Sequence, residues 1–144
     1  MQENTTIELV EMIFKVSRLM KEEMSYTNNL IHLSILQIQT LIFLNQQKEK
    51  KASMSDIAGH FRIELPSATS LVTKLCDQRL VERQADPNDR RLVLITITHE
   101  GKILLDQAMN ERRKKVEKML SYLSDQEKTE LLNIFNTLVT RLQK

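Results

Sequence analysis

Residues 80–98 read LVERQADPNDRRLVLITIT. Leu92 to Thr98 are apolar and β-branched, the composition of a strand. Asp86-Pro87-Asn88-Asp89 is a turn signal, because proline presets one backbone dihedral while aspartate and asparagine side chains bond back to nearby amides. Leu80-Val81-Glu82-Arg83 supplies a short first strand. The stretch therefore predicts a hairpin whose charged tip ends in Arg90 and Arg91.

Immediately before it lie two short helical patterns. Ser53-Met54-Ser55-Asp56 has the spacing of a capping box, a hydroxyl N-cap with an acid three residues on. It opens a predicted helix over 54–61 that carries Ile57, Ala58 and Phe61. After a short polar break a second helix runs from Leu65 to Gln78, with Pro66 in the first turn, where its missing N–H costs nothing. Ala68, Leu71, Val72 and Leu75 form its inward set; Pro66, Ser67, Thr69, Ser70, Thr73 and Lys74 form its outward set. Two such helices form a helix-turn-helix pattern, and a hairpin placed directly after one is a wing. Solvated helix faces are usually rich in Glu and Lys. Here the face is small hydroxyls with one lysine, which suits close approach to a DNA groove. An ordinary polar face with a Ser/Thr bias has the same composition.

The flanks are helical too. Thr6 to Met24 carries two apolar stripes, Leu9-Ile13-Val16-Met20 and Val10-Phe14, a wider arc than one core needs. Such a helix is either sandwiched within its own domain or shared with a partner chain. Leu30 to Leu44 is richly apolar and predicts a buried helix from about Ser34; Asn45 to Lys51 predicts a loop. His99 to Leu120 predicts one long helix, apolar at its ends and polar at Asn110-Glu111-Arg112-Arg113-Lys114-Lys115, as for a helix passing between two packed bodies. A plain solvated face would look the same. Ser124 and Glu127 repeat the capping-box spacing, and the last helix runs to about Leu142 with Leu131, Leu132, Ile134, Phe135, Leu138, Val139 and Leu142 on a wide apolar arc. Apolar excess at both ends of the chain predicts an obligate dimer.

Composition narrows the class. The 144 residues include only two glycines, Gly59 and Gly101, and two prolines, Pro66 and Pro87, against roughly 7% and 5% in average usage. That excludes collagen-like and low-complexity chains and disfavours a many-stranded barrel. With 41% hydrophobic and 28% charged residues the chain reads as one globular domain. No apolar run approaches the roughly 18 residues of a membrane helix, so no membrane partner is expected. Met1-Gln2-Glu3-Asn4 lacks the start of a secretory signal, and the single Cys76 fits a reducing cytoplasm. The net charge of +2 alone identifies no partner; residues 46–91 are mildly basic and the first helix acidic.

In this combination the chain resembles the MarR family of bacterial winged helix-turn-helix transcription regulators along nearly its whole length. The resemblance rests on Leu33-Ser34 with Gln37, on residues 53–58, and on residues 75–83 followed by Asp86-Pro87-Asn88-Asp89-Arg90-Arg91. Thr98-His99-Glu100-Gly101 and residues 123–127 complete it. Three positions depart from the family pattern. Arg62 stands where the turn of the motif often has glycine, Glu64 where a serine often caps the recognition helix, and Arg79 where glycine often follows it. A non-glycine residue at Arg62 or Arg79 implies either a strained backbone or a differently built turn.

The resemblance implies a mainly α fold with six helices and a two- to three-stranded antiparallel wing sheet, in one MarR-type domain over 1–144. Residues 1–30 and 100–144 would supply dimerisation helices and 34–98 the DNA-binding lobe. It implies a homodimer on a pseudo-palindromic double-stranded operator, with half-sites about 34 Å apart, most often acting as a repressor. Pro66, Ser67, Thr69, Ser70, Thr73 and Lys74 would face the major groove, Lys74 meeting a phosphate. The face has no Arg, Asn or Gln for bidentate base contacts, so readout leans on DNA shape. In the wing, Arg91 would enter the minor groove, Arg90 would meet phosphate, and Asp89 would orient the tip; Asp89 and Arg91 as a turn-stabilising pair is the competing reading. Ser53 caps a helix start that can hold a further phosphate.

No nucleophile–base set, glycine-rich phosphate loop or zinc-spaced Cys/His pair is visible, so the chain is read as no enzyme, with no catalytic residue, metal or cofactor. Cys76, beside Leu75, reads as a buried inert thiol, although Lys74 and Arg79 lie near it. The family commonly binds lipophilic or anionic effectors; Met12, Phe14, Met20 and Met24 would line such a site, or simply fill core. A winged-helix module that binds a protein partner instead of DNA is the alternative function.

Overall fold

Local capping explains where most helices begin in the computed structural model, which describes residues 2–25 and 32–143. Helix α1 spans Gln2–Ser25. Helix α2, Ile35–Gln46, starts on a reciprocal pair: Ser34 Oγ accepts the Gln37 N–H at 3.2 Å and Gln37 Oε1 accepts the Ser34 N–H at 2.8 Å. Ser53 and Asp56 do the same for α3, Met54–Phe61, at 3.0 Å in both directions. Helix α4 is Leu65–Asp77 and α5 is His99–Leu120. Ser124 and Glu127 form the box that opens α6, Asp125–Leu142. Leu30 and Ile31, the start of the apolar stretch that leads into the expected second helix, lie outside the described residues.

Three short strands form one antiparallel sheet in the order β1-β3-β2: β1 is Lys51–Ser53, β2 Val81–Ala85 and β3 Val93–Ile97. The hairpin has Val81 opposite Ile97 and Ala85 opposite Val93. The expected loop over 45–51 is corrected at both ends. Helix α2 runs on to Gln46, a 3-10 turn occupies Lys48–Lys50, and Lys51 already pairs with Thr96. Three residues carry no readable periodicity; β1 exists because β3 offers it an edge.

Both helices of the helix-turn-helix motif end in the same way. At the end of α3 the Ile63 N–H bonds to the Ala58 carbonyl at 3.0 Å and the Arg62 N–H to the Gly59 carbonyl at 3.3 Å. At the end of α4 the Leu80 N–H bonds to Leu75 at 3.0 Å and the Arg79 N–H to Cys76 at 2.9 Å. This nested pair is the Schellman arrangement, which needs a left-handed residue at its turn. Arg62 (φ 52°) and Arg79 (φ 60°) occupy that position. Of the two readings open for these arginines, the turn keeps the glycine geometry and the arginine takes it up.

The described chain divides into two compact units, residues 32–109 and residues 2–25 with 110–143; α5 contributes to both. The first unit holds the core. Leu41, Leu44, Ile57, Val72, Leu75 and Ile95 are all 0–1% exposed. Thr40, also enclosed there, is satisfied by its own helix, donating to the Leu36 carbonyl at 2.7 Å. Gly101 lies against this core: a Cβ there would stand 2.1 Å from the Leu80 carbonyl oxygen, so only glycine lets α5 pass. Gly59 has open space around the same position. In the second unit most apolar residues of α1 and α6 stay exposed, from Val16 at 42% to Leu142 at 83%, while Met20, Met24 and Leu131 are half-buried. No helix among the described residues is long and apolar enough to cross a membrane.

Candidate nucleic-acid interface

Helix α4 is two-sided. Ala68, Leu71, Val72 and Leu75 are buried, whereas Pro66, Ser67, Thr69, Ser70, Thr73 and Lys74 are exposed, as the helical spacing predicts. Pro66 sits in the first turn. Glu64 has the extended backbone of an N-cap but its carboxylate makes no capping hydrogen bond. That amide end is therefore less satisfied by its own side chains than those of α2, α3 and α6.

The exposed hydroxyls are not all alike. Thr69 Oγ1 donates to the Leu65 carbonyl at 2.9 Å, one turn back in the same helix. Thr73 Oγ1 accepts from Arg83 Nη2 at 2.9 Å. Arg83 lies two residues past the buried Val81 on β2, so the strand's alternation turns both toward α4. Sequence reading missed Arg83 as a contact to the helix. The signal was an arginine two residues from a buried valine on an edge strand.

The wing tip is a tight, self-bonded turn. The Asp86 N–H bonds to the Leu92 carbonyl at 2.9 Å, and the Leu92 N–H to Asp89 at 3.0 Å. Asp86 Oδ1 accepts the Asn88 N–H at 2.8 Å, and Asp89 Oδ1 accepts the Arg91 N–H at 3.0 Å. The Arg91 guanidinium is also within 3.8 Å of Asp89, yet its side chain is 95% exposed. Asp89 thus shapes the turn through the backbone without covering the charge. At such exposure the ion pair itself contributes little. Arg90 is exposed beside it. Ser53 Oγ accepts from Asp56 at the start of α3 and keeps its own proton for another acceptor.

Other expectations fall elsewhere. Cys76 is half-buried, not fully buried, and packs on the core. The His60 ring stacks on Phe43 at 4.1 Å between centroids, and among the described residues no three His, Cys, Asp or Glu are placed to hold a metal. A crevice of about 270 Å³ lies within the second unit between α1 and the last turns of α5. Met20 and Met24 line it with Glu23, Lys115, Met119 and Tyr122. Met12 and Phe14 do not line this crevice; they stand exposed on α1 at 54% and 70%.

The profile of the MarR family matches residues 33–92. The chain is 26% identical to the transcriptional repressor YetL of Bacillus subtilis over 95% of its own length and 82% of YetL. It is 30% identical to the transcriptional regulator BldR of Sulfolobus solfataricus, covering 98% of this chain and 99% of that one, with a TM-score of 0.63. A mutant of Staphylococcus aureus MepR bound to an oligodeoxyribonucleotide shares the fold at a TM-score of 0.75, with 20% identity over 93% of this chain and 97% of MepR. Profile, relatives and the order of helices and wing strands agree: the chain belongs to the MarR family of winged-helix transcription regulators.

Proposed function

We propose that this DNA-binding regulator works as a homodimeric repressor on a pseudo-palindromic operator, and that a small lipophilic or anionic ligand relieves repression. The observation that carries DNA contact is the two-sided α4, with every outward residue exposed and a wing tip of solvent-exposed guanidinium charge on the same unit. Pro66, Ser67, Thr69, Ser70, Thr73 and Lys74 meet the major groove. Arg91 enters the minor groove, Arg90 and Ser53 meet phosphates, and Asp89 holds the turn that aims Arg91. The uncovered apolar faces of α1 and α6 support the homodimer, since patches of this extent are unusual on a monomer. The similarity to YetL, a transcriptional repressor, supports repression. The crevice supports a ligand: Met20, Met24 and Met119 make an adaptable apolar wall, and Lys115, whose ammonium donates to the Glu23 carbonyl, adds a cation to the lining.

Duplexes selected from a random library by the purified protein provide the test. Binding should weaken steeply between 50 and 200 mM salt, as phosphate contacts release counterions. Arg91→Ala should weaken binding about tenfold or more and lower the salt slope by about one, with the sedimentation of the protein unchanged. Unchanged affinity in Arg91→Ala overturns the wing assignment. Absence of duplex binding at low salt favours a winged-helix module for a protein partner.

A further inference from the structure

Thr69 and Thr73 stand one turn apart on the exposed face of α4, and each is already committed on one side. Thr69 donates to the Leu65 carbonyl, and a carbonyl can only accept. The single Thr69 proton is therefore spent, and toward an outside partner Thr69 is an acceptor. Thr73 receives a hydrogen bond from the Arg83 guanidinium, and a guanidinium can only donate. Thr73 therefore keeps its proton. The adjacent positive charge polarises that O–H toward an outside acceptor and repels an outside donor. Toward a partner, Thr73 with Arg83 is a donor unit. The i, i+4 spacing aims both hydroxyls from the same face, about 6 Å apart along the axis.

The major-groove edges of the bases have this same polarity. Guanine N7 and O6, adenine N7 and thymine O4 accept; adenine N6 and cytosine N4 donate. We infer that α4 and the wing strand β2 together set a donor–acceptor polarity for base recognition: Thr69 selects a base that presents an amino group, and Thr73, fixed by Arg83, selects a base that presents acceptors on a neighbouring pair. Arg83 is then a specificity-positioning residue. It need not touch a base, because it decides which way the Thr73 hydroxyl turns. This rests on the reading of α4 as the DNA-contacting helix, and it adds which hydroxyl reads which class of base edge.

Selection of duplexes from a random library by the full chain, repeated with Thr69→Val, Thr73→Val, Thr73→Ser and Arg83→Met, tests it. The wild type should require an amino-bearing base at one position of each half-site and an acceptor-bearing base at another. Thr69→Val should relax only the first requirement and Thr73→Val only the second, each by about three- to tenfold, the worth of one neutral hydrogen bond. Thr73→Ser should keep it. Arg83→Met should relax the same position as Thr73→Val, a change in preference that mere loss of a phosphate contact would not produce. Arg83→Met that weakens every duplex alike, with the selected sequence unchanged, overturns the inference and leaves DNA binding standing. Failure of the wild type to select any duplex overturns the DNA-binding reading and this inference with it. All three positions are exposed, so equal thermal melting should accompany the variants.

Discussion

Arg62 and Arg79 each close a helix of the motif from the left-handed region, at φ 52° and 60°. A Cβ in that region crowds the following carbonyl, at about 1 kcal/mol or more relative to glycine. Two nested hydrogen bonds hold each residue there, and Arg79 is fixed from a second side because its carbonyl accepts the Thr98 hydroxyl at 2.7 Å. Glycine at either position removes the crowding but adds freedom to the unfolded chain. Arg62→Gly and Arg79→Gly should therefore each raise stability, by up to about 1 kcal/mol, read as a higher Tm in thermal unfolding. Two variants that melt at or below the wild type would show that the turns are not strained. The resemblance alone marked both positions. Which of the two backbone outcomes occurs was not legible there, because at these positions the nested hydrogen bonds outweigh the residue's own backbone preference.

At the scale of elements, capping is the most legible feature. A serine with a Gln, Asp or Glu three residues on marks the starts of α2, α3 and α6, and each pair closes reciprocally. In α6 the Glu127 carboxyl is held below its usual pKa, first by the backbone N–H of Ser124 and next by the Ser124 hydroxyl. The carboxylate form is the one these donors favour. A depressed folded pKa means the stabilisation is complete above the ordinary carboxylate range and is lost as pH falls through the lowered value. Glu127→Gln should therefore melt below the wild type at pH 7, and the gap should close in acid. A gap of equal size at pH 7 and pH 3 would count against the charged cap. At the start of α5, Thr98 Oγ1 accepts the Gly101 N–H at 2.9 Å, so the Thr-x-x-Gly signature is a cap followed by a close approach. Strand β1 shows the opposite case. No residue among Lys51, Ala52 and Ser53 announces a strand, and only pairing with β3 makes one.

At the scale of the molecule, the core belongs to residues 33–105, while the faces of α1 and α6 remain uncovered. If those faces join two copies, a charge placed at their centre should separate them. Phe135→Glu is expected to sediment as a monomer at micromolar concentration and to lose affinity for a two-half-site duplex, with its helical circular dichroism retained. A dimer of unchanged sedimentation would assign Phe135 to another surface. Sequence alone determined the helix order, the wing and the inward and outward faces of α4. These follow from spacing and capping, which act over a few residues and are written locally. Only tertiary structure decided the third strand, the arginine-borne turns, the absolute need for glycine at Gly101 and the Arg83–Thr73 bond. Each depends on groups distant in the chain meeting at a few ångströms, and no local pattern specifies which residues will meet.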